Sequence, residues 1–250
     1  MAIVINGSGT LSGVAVGGLP DGIVDSDTLA SGTVPTGVTT QLTATANIGL
    51  GVNAVNSITT GDYNVGLGDE ALTAVTTGSQ NIGLGGYALG ATTTGGTNTA
   101  VGYSSMETNT TGSSNVAVGY LSLRVNTTGA TNTAIGYEAM KANTTGGYNV
   151  GIGKDALMAN TTASGNVAVG VDALTANTTG ASNTGVGTAS LKFNTTASNN
   201  TAMGYEALSR TTTGASNTAV GYSALKTNTT AEDNTAVGYN ALALNTTGAG

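Results

Sequence analysis

The residues that can do chemistry in this chain are few, and they recur at a fixed interval. Carboxylates stand at Glu70, Glu138, Asp155, Asp172 and Glu206, and cations at Arg124, Lys141, Lys192 and Lys226. Tyrosines form a column at Tyr103, Tyr120, Tyr137, Tyr205, Tyr222 and Tyr239. There is no His, so the usual general base and the commonest metal ligand are absent, and no Cys, so thiolate and disulfide chemistry are excluded. No Ser or carboxylate stands beside a plausible base, and a regular array offers no unique cleft. An enzyme is not expected, nor any cofactor or catalytic residue.

All these residues sit in a 17-residue repeat. Asn recurs at Asn47, Asn64, Asn81, Asn98, Asn115, Asn132, Asn149, Asn166, Asn183, Asn200, Asn217 and Asn234, making twelve copies with no insertion or deletion. Counting that Asn as position 1, position 5 is always Gly, and positions 4 and 9 are always apolar. In the last two copies these are Asn217, Val220, Gly221 and Leu225, then Asn234, Val237, Gly238 and Leu242. An unbroken period of this length means stacked, nearly identical units. The carboxylates above occupy position 7, the cations position 10 and the tyrosines position 6.

Composition fits a backbone-dominated architecture. Of 250 residues, 40 are Gly and one is Phe; there is no Trp, and 8% are charged, against about 25% in average proteins. Disordered tracts have no reason to hold register over twelve copies, so the period selects β-structure. A net charge of −7 with six basic residues argues against nucleic acid or an anionic membrane as partner. No apolar run approaches the roughly 20 residues that span a bilayer. The N-terminus, Met1 to Gly7, lacks the positive segment of a signal peptide, so export by the general secretory route is not expected.

Residues 1–46 stand outside the repeat. Ile3-Val4-Ile5-Asn6-Gly7-Ser8-Gly9 followed by Val14-Ala15-Val16 reads as a hairpin with an Asn-Gly turn. Gly17 to Gly22 reads as a turn or extended link, Thr33 to Gly37 as another extended link, and Asp25 to Ala30 as one helical turn. So small a segment is expected to fold against other subunits or a docking partner.

Residues 47–250 are expected to form an all-β parallel β-solenoid. The first six residues of each copy alternate like a strand. Position 4 is expected to point into the coil. Position 3, always Ala or Gly, implies close packing against a neighbouring chain or the opposite wall. Position 9 should dip inward between water-facing positions 7 and 10. An Asn-Thr-Thr turn follows in most copies. A helical pair does not fit, since helical solenoids need about 33–47 residues per repeat. Stacked strands lie about 4.8 Å apart, so twelve rungs span on the order of 55–60 Å. Stacked Asn can form amide ladders. Gly at position 5 fits a site of positive φ or steric closeness. The thin core of small side chains favours a trimer or other multimer.

The repeat Asn-Thr-Ala-Val-Gly-Tyr-x-Ala-Leu resembles the head repeat of trimeric autotransporter adhesins, across residues 47–250. That family forms a left-handed parallel β-roll with three chains side by side, so the resemblance implies a homotrimer; the longer 17-residue repeat leaves handedness and strand count per coil open. Asn-Thr-Thr-Gly with Gly-Tyr-x-Ala-Leu is similar to repeats of phage tail fibres, which often end in an endosialidase-type chaperone. The sequence here closes on a complete repeat, which is consistent with cleavage, truncation or a chosen boundary. Gly17-Gly18-Leu19-Pro20-Asp21-Gly22 also resembles segments that attach fibres to the tail. These likenesses imply a virion protein: a tail-fibre shaft held through residues 1–46 to other tail or baseplate proteins. A bacterial surface adhesin head is the alternative, and a filament self-stacked through a bare end is a third.

Other motifs have plainer readings. Gly66-Leu67-Gly68 and Gly151-Ile152-Gly153 recur with the repeat and open no helix, so they are not phosphate loops. The position 7 carboxylates fill five of twelve copies and read as a solvated face rather than a calcium ladder. Glycosylation sequons occur at Asn109, Asn126, Asn143, Asn160, Asn177, Asn194, Asn228 and Asn245, and turn chemistry accounts for them without a sugar. The tyrosine column is either packing or a contact for host glycans.

Overall fold

In a computed structural model the chain is described over residues 46–248, together with the backbone of three short strands before them. Those are β1 (Val4–Ile5), β2 (Leu11–Ser12) and β3 (Val38–Thr39). β1 and β2 pair antiparallel, so the hairpin expected around Asn6-Gly7 forms with Leu11–Ser12 as its second strand. Val14 to Val16, the extended links and the helical turn at Asp25 to Ala30 lie outside the described residues.

From β4 (Ile48–Leu50) to β15 (Thr235–Val237) each repeat contributes one three-residue strand at positions 2 to 4. The twelve strands form one parallel sheet in strict sequence order, and β3 adds antiparallel to β4. Every parallel pair has the same register, so Thr218 lies beside Thr235 and Val220 beside Val237. The chain is a β-solenoid, one rung per repeat.

Main-chain bonding continues around the whole rung. The Leu72 N–H donates to the Ala88 carbonyl at 3.0 Å, Ala74 to Gly90 at 3.1 Å, Thr76 to Thr93 at 3.0 Å, and Gln80 to Asp62 at 2.8 Å. Such closure needs a backbone that bends sharply in few residues. Positions 7, 9 and 17 accordingly lie in the left-handed region, as in Glu206 (φ 52°), Leu208 (φ 49°) and Ser216 (φ 58°). Each such residue costs about 1–2 kcal/mol, a strain held by the bonds to the rungs above and below. At position 5 only Gly serves. Gly119 has φ +133°, and a Cβ there would collide with the Gly136 carbonyl of the next rung.

The core is one large side chain wide. Position 9 is fully buried from Val55 to Leu225, between an Ala or Ser at position 8 and the strand. Position 3 faces it. A Cβ on Gly83 would sit 3.3 Å from Leu72 Cγ, and one on Gly185 would sit 3.4 Å from Leu174 Cδ1. The close packing at position 3 is therefore against the opposite wall of its own coil.

This overturns the expectation for position 4. The strand is phased the other way: position 3 points in, and positions 2 and 4 point out. No residue at position 4 is buried, and Leu50, Ile135, Met203 and Val237 are exposed, as is Ile48 at position 2. Val220 is only partly covered. The reason is volume. With Leu at position 9, a 17-residue winding has no room for a second large side chain opposite.

Candidate functional site

Two buried Asn columns hold the rungs in register. At position 1, Asn115 uses every polar group it has. Its main-chain N–H donates to Asn98 Oδ1 at 3.0 Å, and its carbonyl accepts from Thr99 at 2.9 Å. Its Nδ2 donates to the Gly129 carbonyl at 2.9 Å, and its Oδ1 accepts the Asn132 N–H at 2.9 Å. The second column is the Asn of the Asn-Thr-Thr turn, at position 12. Asn126 Nδ2 reaches Asn109 Oδ1 at 2.8 Å and the same Gly129 carbonyl at 2.9 Å. One carbonyl at position 15 thus ties both columns together. The stacked amides expected at position 1 are present, and position 12 adds a ladder that turn chemistry alone did not suggest.

This second column decides the sequons. From Asn109 to Asn228 the Asn of every Asn-Thr-Thr sequon is buried with its Nδ2 engaged inward, so these turns present no amide for glycosyl transfer, whereas Asn199 of Asn199-Asn200-Thr201 is exposed. The Thr at position 13 caps the same turn: Thr127 Oγ1 donates to the Thr144 carbonyl at 3.1 Å.

Outward, three sides differ in chemistry. On the charged side the position 10 cations each meet a carboxylate. Arg124 pairs with Glu107 at 2.9 Å, Lys141 with Glu138 at 2.9 Å, Lys192 with Asp172 at 3.0 Å, and Lys226 with Glu206. Where positions 7 and 10 carry charge they are half-covered, with position 9 buried between them, while the uncharged Ser104, Leu121, Ala189, Ser209 and Ser223 at these positions are buried. The hydrogen bond to Glu206 raises Lys226 above its ordinary value. These pairs contribute little to stability, because water and salt screen them. Among the described residues no three His, Cys, Asp or Glu side chains gather into a metal-ligand group.

The tyrosine column stands on the surface and stacks along the axis. Tyr103, Tyr120 and Tyr137 lie 6.0 and 5.5 Å apart between ring centres, and Tyr205, Tyr222 and Tyr239 lie 5.1 and 5.2 Å apart. All six are exposed. Neighbouring rings occupy one another's faces, so the column presents mainly edges and hydroxyls outward. A shallow groove of about 240 Å³ beside it is lined by Tyr87, Tyr103, Glu107, Tyr120 and Arg124.

The third side is the outer face of the sheet. Positions 2 and 4 give 24 side chains over β4 to β15, of which 18 are aliphatic or Met and six are Thr, with no charge among them. None is buried. The alternation of the strand could have revealed this face, because Ala or Gly at position 3 is the mark of the crowded side.

Fold and surface together define a β-solenoid of in-register rungs with one uncharged, mostly aliphatic outer sheet face. No protein-family model, curated protein or solved structure matches this chain.

Proposed function

We propose that this protein is a non-enzymatic structural rod, the shaft of a phage tail fibre, assembled as a homotrimer and holding a receptor-binding element away from the particle. The observation that carries the reading is the main-chain register, which recurs from rung to rung along the whole repeat array. The backbone frame repeats at the rung spacing, which suits extension and stiffness rather than a single reacting centre. Residues 1–46 are assigned to attachment on other tail or baseplate proteins. The virion is the proposed location, with no cofactor and no insertion into a membrane. The uncharged outer sheet face supports multimer assembly.

The test has two parts. Negative-stain images of the purified chain should show straight rods whose repeat region is about 55–60 Å long, at the strand spacing of about 4.8 Å. Antibodies to residues 47–250 should label tail appendages of particles released by the host that carries the gene. Globular particles would end the rod reading. Label on bacterial envelopes in place of particles would move it to the adhesin alternative.

A further inference from the structure

We infer that the outer sheet face, built by positions 2 and 4, is the surface through which copies of this chain meet, and that they meet parallel and in rung register. This rests on the homotrimeric shaft reading and names the contact within it.

Size is the first argument. Twelve strands about 4.8 Å apart, with outward side chains about 7 Å apart along each strand, outline a strip of roughly 55 by 10 Å. The accessible area over such a strip reaches or exceeds the roughly 300–600 Å² of the largest apolar patch on ordinary monomers. Two such strips in contact remove on the order of 1,000 Å² or more, the threshold of a specific interface.

Periodicity is the second argument. The strip is ridged at the rung spacing, with Val116 and Val118 beside Thr133 and Ile135 and so on along the sheet. A second copy carries the same ridges at the same pitch, so its side chains interdigitate along the whole length. A partner without this period matches at one place only.

The distribution of Thr sets direction. Position 2 is aliphatic in six of the first eight rungs, from Ile48 to Val167, while the last four rungs all carry Thr, at Thr184, Thr201, Thr218 and Thr235. Parallel packing sets aliphatic on aliphatic and hydroxyl on hydroxyl, where Thr side chains can exchange hydrogen bonds. Antiparallel packing presses the Thr end onto Ile48, Val65 and Ile82 and leaves those hydroxyls without partners.

The full-length chain is the material for the test. By sedimentation velocity the wild type should run at a multiple of 24.1 kDa. Val169→Lys should drop it to the single-chain mass with its β circular dichroism kept, while Thr145→Lys, on an exposed turn, should leave the mass unchanged. Since the chain has no Cys, Val65→Cys alone should form an inter-chain disulfide on mild oxidation. That readout decides the matter if Val169→Lys does not fold. A multimer that survives Val169→Lys keeps the shaft and overturns the interface. Cross-linking only when Val65→Cys is mixed with Val220→Cys overturns the parallel arrangement. Rods of single-chain mass at every concentration overturn the inference and leave the rod.

Discussion

Asn194 is the one Asn of its buried column whose Oδ1 lacks a partner, and the cause is its neighbour. The next rung places Thr211 at position 12, whose Oγ1 donates to the Asn228 carbonyl and leaves no Nδ2 to reach back. Thr211→Asn should restore the ladder and raise stability by about 1 kcal/mol, read as a higher urea midpoint. Ser190 at position 8 has the same defect: its Oγ is buried without a partner, where most rungs carry Ala. Ser190→Ala should be neutral or stabilising by up to about 1 kcal/mol in the same assay. Gly119→Ala acts in the opposite direction. Its φ of +133° alone costs a side chain about 1–3 kcal/mol, and the Gly136 carbonyl of the next rung blocks the methyl, so the midpoint should fall sharply.

The rung is the unit at which sequence and structure agree and part. Its existence, its length and its parallel stacking follow from the 17-residue period, because nothing but stacking uses such regularity. The burial of position 9 was legible from the charges on either side of it. The phase of the strand is not legible from apolarity, because position 4 is apolar in every copy and yet faces outward. The better signal was size. Position 3 never exceeds Ala, as the inner side of a narrow coil requires, while position 4 varies from Val to Met as an outer side allows. Leu174→Ala should therefore cost about 2–5 kcal/mol, since it empties a core one side chain wide. Deleting residues 166–182, one whole rung, should preserve the circular dichroism spectrum and cooperative melting. Deleting Thr175 alone should lower the melting temperature more than removing the whole rung, because the bonds of that shortened rung to both its neighbours slip register.

For the molecule as a whole, the charge distribution sets how stability depends on pH and salt. Among the described residues no Asp, Glu, Lys, Arg or Tyr is buried, and the sequence has no His. What holds the rungs is neutral: main-chain bonds, amide ladders and the Leu column. Proton uptake on unfolding is therefore small across the middle of the scale. Lys226 is raised from 10.5 by its bond to Glu206. A raised Lys contributes its stabilisation fully below the unfolded value and loses it as pH climbs through the folded value, so the loss sets in only above about pH 10.5. The melting temperature should stay level from about pH 5 to 9, and should not fall when 1 M NaCl screens the exposed ion pairs. A kosmotropic salt should raise it, because sulfate strengthens apolar burial. If the outer sheet faces are in contact, that rise should be larger for the assembled wild type than for monomeric Val169→Lys, since only the assembly buries the strip from Ile48 to Val237. A midpoint that drops steeply between about pH 5 and 9 would mean that charge, not the neutral ladders, carries the rod.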